Sequence, residues 1–229
     1  MKFNRLLLYI LTLGIGMSTI SCQKQDHAYK EFIADGERIY IGKVLDLVAQ
    51  SGNGRVKLSW NVFDSRVKKI KIKYNDNLDS VMMDVVKTDQ VDYMETIISN
   101  LEERTYTFKV YALDGAGNQS VAQNVDGQSF GDNYRSTLNN RIITSKTISG
   151  KDATINWVSV PNDSNISETE IEYFDADNGS IKTVILPKAQ TSILLTNIDT
   201  TKNIRYKTKY FPKSDAIDYF YTDYSSYNL

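Results

Sequence analysis

The sequence predicts an all-β protein: two tandem β-sandwiches that follow a signal peptide and a short tether. Three observations carry this. From Val44 onward, apolar residues alternate with polar ones in short runs, the period of a strand with one buried face. Turn-forming residues separate the runs at intervals of about ten residues. The whole pattern then occurs a second time, with a Trp at the matching place in each copy. Composition agrees: 41% hydrophobic and 24% charged residues in 229 suit a folded chain rather than a disordered one.

Residues 1–21 have the three parts of an export signal. Lys2 and Arg5 supply the positive end, Leu6 to Ile15 the apolar run, and Ser18-Thr19-Ile20-Ser21 the small and polar stretch before Cys22. The apolar run is too short to span a bilayer comfortably. The stretch resembles the lipobox of bacterial lipoproteins, where cleavage precedes a Cys whose thiol is then acylated. Thr19 stands where Leu is usual. The alternative is a plain secretory signal with an incidental thiol, but secreted proteins rarely keep an unpaired Cys. Lipid on Cys22 would anchor the chain to a membrane, each buried methylene contributing about 0.8 kcal/mol. Residues 22–42 then form the tether, with a candidate short helix in which Tyr29, Phe32 and Ile33 share a face. His27 lies there and reads as a solvated residue.

The first sandwich is expected over 43–130. Val44 to Gln50 opens it, and Ser51-Gly52-Asn53-Gly54 is hairpin chemistry because Gly and Asn accept positive φ. Val56, Leu58, Trp60 and Val62 form the buried side of the second strand. Ile70, Ile72 and Tyr74 alternate with Lys69, Lys71 and Lys73; with Lys68 these lysines read as a sheet edge that resists pairing. Val81, Met83 and Val85 make the next strand, and Thr96 to Ser99 the one after. Tyr106, Phe108, Val110 and Ala112 face inward on the sixth. Asp114 to Asn118 turns the chain into a closing strand, Gln119 to Val125.

A buried Trp60, then Leu101 with Tyr106, Phe108, Val110 and Ala112, and the turn Gly117-Asn118-x-Ser120, together resemble a fibronectin type III domain, an immunoglobulin-like sandwich. The resemblance covers 44–128. It implies a tyrosine corner, with the Tyr106 hydroxyl on nearby backbone, and it says little about function.

The second, degenerate copy is expected over 146–229, after a linker at 131–145 that is long enough to pack on a domain face rather than flex. Ala153, Ile155 and Trp157 match Val56, Leu58 and Trp60, and the Trp60–Tyr106 and Trp157–Ile204 separations differ by one residue. Yet the corner position holds Ile204, and Thr208 is polar where the first copy has Val110. Phe220, Thr222 and Tyr224 read as the last strand, with Tyr219 and Tyr221 on the opposite face to Phe220 and Tyr224.

The layout as a whole resembles a domain-of-unknown-function family of Gram-negative envelope lipoproteins. Cys22, Tyr29 to Phe32, Gly36 to Val44, Arg55 to Trp60, Asn100 to Glu103, Tyr106-Thr107-Phe108, Gly131-Asp132-x-Tyr134 and Leu138-x-Asn140-Arg141 carry the resemblance. It implies the fold and a cell-envelope location as an outer-membrane lipoprotein, outward or periplasmic, and no assigned reaction.

Chemistry is sparse. One His and one Cys leave no Ser–His–Asp or Cys–His machinery and no Cys-rich metal framework. No phosphate-binding Gly-rich motif is present, and a formal charge of −1 gives no footing for nucleic acid. Asp84, Asp89 and Asp92 flank a loop; Glu168, Glu170 and Glu172 alternate on a strand and read as a solvated acidic face rather than a glycosidase pair. Asp114 and Asn118 read as turn chemistry rather than a calcium site. Asp79-Ser80-Val81 and Asp199-Thr200-Thr201 resemble short acceptor patterns for O-glycosylation, and chance explains them as well. Tyr219, Tyr221 and Tyr227 are the candidate ligand-contact aromatics, although strands enrich Tyr for packing reasons alone. The expectation is a non-catalytic binding or adhesion module for a glycan or an envelope protein, with no cofactor and no metal. The alternative is a structural spacer or accessory subunit.

Overall fold

Both copies fold as β-sandwiches, in tandem along the chain. A computed structural model describes residues 40–88 and 90–229. The signal at 1–21, Cys22, the tether with its candidate helix up to residue 39, His27, and Asp89 lie outside the described residues.

In the first sandwich the strands are β1 (Leu45–Asn53), β2 (Arg55–Val62), β3 (Lys69–Tyr74), β4 (Asp79–Asp84), β5 (Asp92–Ser99), β6 (Thr105–Leu113) and β7 (Gln123–Phe130). One layer runs β4-β3-β6-β7 and the other β1-β2-β5. A short parallel pairing of Gly52 with Ser129 and Asn53 with Phe130 ties the layers along one edge. The β1–β2 hairpin turns at Gly54, whose φ of +63° is the left-handed conformation that glycine takes at least cost. Alternation along β2 puts Val56, Leu58 and Trp60 wholly inside, against Ile70, Ile72 and Phe108. Each such aliphatic or Phe side chain contributes about 1.5–3 kcal/mol on burial. Leu101 closes the core, and the Tyr106 hydroxyl donates to the Glu102 carbonyl at 3.2 Å, the corner that the resemblance implies.

Two expectations need correction here. The lysine-bearing β3 is internal, paired to β4 on one side and β6 on the other. Its lysines line the solvent face, and edge status, set by the arrival of β4, is not a local property of the sequence. The closing strand also begins at Gln123 rather than Gln119. Ser120 intercepts the ladder: Ser120 N donates to the Ala112 carbonyl at 2.9 Å while Ala112 N donates to Ser120 Oγ at 3.0 Å. A side chain thus takes one rung of backbone pairing.

In the second sandwich β8 (Ile143–Ser149), β9 (Asp152–Trp157) and β12 (Ser192–Leu195) form one layer, in the order β12-β9-β8. β10 (Ile166–Phe174), β11 (Ile181–Pro187), β13 (Ile204–Tyr210) and β14 (Phe220–Tyr221) form the other as β11-β10-β13-β14, and β15 (Ser225–Tyr227) also pairs with β13. Trp157, Ile155, Ile171, Leu186, Leu195, Ile198 and Ile204 fill its core. The last strand is therefore broken between Tyr221 and Ser225, where continuous alternation was expected.

The segment 131–145 is a packed joint. It contains helix α1 (Asp132–Ser136). The Glu103 carboxylate accepts from the helix-start N–H groups of Asn133 at 2.7 Å and Tyr134 at 2.6 Å. A Cβ at Gly131 would come within 3.0 Å of that same carboxylate. The Tyr134 ring stacks edge-on between Phe130 of the first sandwich and Phe220 of the second, at 4.9 and 5.2 Å between centroids. The loop before β14 meets the β1–β2 hairpin. Asp218 accepts two bonds from the Arg55 guanidinium, at 2.8 and 2.6 Å, and one from Asn53 N at 2.8 Å. A Cβ on Gly52 would sit 2.6 Å from Asp218 Oδ2 and 2.9 Å from Ile217, so a side chain there must displace the joint's own residues.

Thr208, polar at an inward position, is explained by the same joint. It is fully buried, and its Oγ1 accepts from Arg141 N at 2.9 Å and donates to Asn140 Oδ1 at 3.1 Å. Thr222 Oγ1 accepts from Thr208 N and donates to Asn140 Oδ1 at 2.6 Å. Asn140 Nδ2 reaches the Asp223 carbonyl and Ser225 Oγ. One linker amide thereby satisfies the groups left open by the break in the last strand. Arg141, itself buried, donates to the Val158 and Gln190 carbonyls.

Candidate functional site

The outer face of the β11-β10-β13-β14 layer carries the densest arrangement of functional groups. Register sets it. On β10, Glu168, Glu170 and Glu172 point outward; opposite them on β13 lie Lys209, Lys207 and Arg205. Lys209 Nζ is 3.1 Å from Glu168 Oε1, Lys207 Nζ 3.0 Å from Glu170 Oε1, and Arg205 Nε 2.5 Å from Glu172 Oε2. The acidic triplet is therefore capped by cations and largely covered, not solvated as the alternation of carboxylates alone suggested.

On the far side of the cations comes a row of tyrosines. Lys209 Nζ lies 4.1 Å from the Tyr219 ring centre, Lys207 Nζ 4.3 Å from Tyr221 and 4.8 Å from Tyr224, and the Arg205 guanidinium 4.6 Å from Tyr224. Such contacts contribute about 0.5–1 kcal/mol when exposed and ~2 when desolvated. The Tyr224 hydroxyl also donates to Glu172 Oε1 at 2.6 Å. The titration shifts agree with this close packing. Burial pulls the Lys207 ammonium down, but its bonds to Glu170 and Tyr224 outweigh burial and leave it raised. Burial pushes the Tyr224 phenol up, and the Glu172 bond adds to that.

With its charges paired row by row, the face shows solvent rings and aliphatic groups beside the half-exposed Arg205. Tyr219 is 50% and Tyr224 42% exposed, and across the sheet Ile181 and Ile185 on β11 stand 54% and 44% exposed. Tyr219 meets Tyr221 edge-on at 5.5 Å and Phe211 at 6.1 Å.

Tyr219 and Tyr221 thus come together, and Tyr227 does not join them. β15 pairs Tyr227 with the inward-facing Ile204, so Tyr227 packs on the core side, with Lys146 Nζ 5.8 Å from its ring. Tyr224 takes the third place instead. Strict alternation had put Tyr224 on the opposite face, and the break at Thr222-Asp223 reverses both assignments. Arg205, Lys207 and Lys209 form a period-two triplet matching the glutamates, a signal missed because the glutamate triplet was read alone.

The other sequence candidates have local roles. Asp92 accepts from Thr88 N and Thr88 Oγ1 and pairs with Lys87 at 2.5 Å; the Lys87 bond leads in holding its carboxyl at about 2, unsuited to a general acid near neutrality. Asp84 is an exposed partner of Lys69 at 3.6 Å. Asp114 accepts from Ala116 N and Asn118 N at 2.9 Å and from Asn118 Nδ2 at 2.7 Å, which is turn chemistry. Ser80 is exposed and Thr200 half-buried. Among the described residues no group of three or more His, Cys, Asp or Glu could hold a metal, and no helix is long and apolar enough to cross a membrane.

A family model described as a domain of unknown function, DUF4998, matches residues 22–220. No curated protein matches the chain. Solved structures similar to it include a two fibronectin type III domain segment from chicken tenascin, at 16% identity over 82% of this chain and 99% of that one, with a TM-score of 0.31. Another is the FN1–FN3 domains of chicken CNTN1, at 12% identity over 80% of this chain and 66% of that one, with a TM-score of 0.39.

Proposed function

The chain belongs to the DUF4998 family, and from that premise we propose that it is a lipid-anchored, non-catalytic binding or adhesion module of the cell envelope, for a glycan or an envelope protein. The tyrosine-lined outer face of the second sandwich is its contact surface. The observation that carries this reading is the row Tyr219, Tyr221 and Tyr224, held over paired charges so that each ring is oriented before a ligand arrives. Preorganised aromatics give contact area at low ordering cost. The test is capture from the native envelope together with a glycan panel. Wild-type chain should retain a ligand that Tyr221→Ala and Tyr224→Ala lose, and retention unchanged by both variants would sink the assignment of this face.

Anchoring rests on Cys22 and the lipobox-like segment before it. Metabolic labelling with an alkyne fatty acid should mark the wild-type chain and not Cys22→Ser, which should leave the membrane fraction. Equal labelling of both would remove the anchor.

The spacer reading has one observation in its favour, the joint around Gly52, Arg55 and Asp218. Gly52→Val should open that joint, seen as a larger maximum dimension in solution scattering and new proteolysis within 131–145. Unchanged scattering would take this support away.

A further inference from the structure

We propose that the loop end of the second sandwich holds a binding pocket for an oligosaccharide, continuous with the tyrosine row. This rests on the binding reading above and gives its ligand a chemical class. The cavity is about 460 Å³, within the range of roughly 300–1,000 Å³ typical of small-ligand sites. Three connections build it: the loop before β10, the turn after β11 and the segment that follows β13. They are bonded to one another: Phe211 N donates to the Asn165 carbonyl at 2.9 Å, Lys188 N to the Ser167 carbonyl at 3.1 Å, and Asn165 Nδ2 to the Pro212 carbonyl at 3.4 Å. The walls are therefore set without a ligand.

The lining has the chemistry of sugar recognition. Asn162, Asn165 and Ser167 offer amides and a hydroxyl, each able to donate and to accept, as a sugar hydroxyl also does. Phe211 supplies an aromatic wall, and Tyr219 stands 6.1 Å from it at 75°, forming a corner that leads onto the exposed row. The Lys188 ammonium is turned onto the Asn162 and Ser164 carbonyls at 2.8 and 3.3 Å, which fixes its position and leaves its charge in place. Asp163 and Lys213, also lining the cavity, are of opposite sign. With Lys188 they leave one positive charge in excess, so the lining does not select against an acidic sugar, and a hydroxyl-rich ligand finds bonds in both senses and rings for its C–H faces.

The experiment titrates the full-length chain in detergent with neutral oligosaccharides of glucose, galactose, mannose and xylose, and with uronic-acid oligosaccharides. Isothermal calorimetry reads binding, and far-UV circular dichroism checks the fold of each variant. Binding of a neutral oligosaccharide, weakened about tenfold or more by Asn162→Ala and by Tyr219→Ala and unchanged by Val48→Ser on the first sandwich, supports the proposal. Binding of uronic-acid oligosaccharides with the same dependence on both variants supports it equally. Neutral-sugar binding indifferent to Asn162→Ala but lost in Tyr224→Ala overturns the pocket and leaves the binding face standing. No saccharide binding, with a protein captured through Tyr221 and Tyr224, overturns the ligand class alone. Absence of any captured ligand overturns both readings.

Discussion

The two sandwiches share a core and differ at the last strand. In the first, β7 is continuous, pairs with β6 along its length and meets β1 at its end. In the second, the equivalent strand is split into β14 and β15, and a linker amide, Asn140, fills the gap through Thr208 and Thr222. The corner differs as well. Tyr106 bonds backbone in the first copy. In the second, Ile204 takes its place and the Tyr173 hydroxyl, on a different strand, donates to the Thr196 carbonyl at 3.2 Å. The comparison teaches that the buried Trp and its aliphatic neighbours set the sandwich, while the final strand is free to diverge. Divergence there places Tyr224 on the outer face of the β10–β13 layer and ties the second copy to the first.

The sharpest break of the comparison removes what the copies share. Trp60→Ala and Trp157→Ala should each cost about 3–5 kcal/mol. Because the joint couples the copies, either variant should lower one common thermal transition in calorimetry. Two separated transitions would mean that the copies are independent.

Exchanging the position where they differ should cost less. Thr208→Val, which copies Val110, leaves Arg141 N without its partner and Asn140 Oδ1 with Thr222 alone, at a fully buried site. A loss of about 1–3 kcal/mol in urea unfolding is expected. A neutral result would show that the polar knot contributes nothing. Tyr106→Phe and Tyr173→Phe test whether the relocated hydroxyl does the corner's work. Each should cost about 0.5–1.5 kcal/mol, and a cost confined to Tyr106 would deny the equivalence.

Much of this was legible in the sequence. Val56, Leu58 and Trp60, and their counterparts Ala153, Ile155 and Trp157, needed only period two, because a half-buried strand enforces it residue by residue. The lysine stripe on β3 misled because an edge is defined by which other strand arrives, and no local pattern records that. Tyr221 and Tyr224 looked opposed because alternation holds only while the ladder is unbroken, and the break depends on Asn140, some eighty residues away in sequence. The glutamate triplet was seen, and its cation partners became meaningful only once register was known.

The smallest effect expected is electrostatic. Lys182 first, then turn N–H groups and Asn197, hold the Asp175 carboxyl at about 2, below its ordinary 3.8. A carboxylate depressed in the folded state stabilises above its unfolded pKa and loses that contribution as pH falls through the folded value. Unfolding midpoints should therefore decline between about pH 4 and 2 in the wild type, and less so in Asp175→Asn. Identical pH profiles would remove the claim.

The position of Asn140 and Arg141 bears on how the protein can be dissected and on how it matures. Both precede the second sandwich in the chain, yet both are needed to finish its interior. A fragment begun at residue 146 would leave Thr208 and Thr222 facing a vacancy, whereas a cut ahead of Gly131 keeps the set together. In the order of synthesis, the linker is present before the strands it serves.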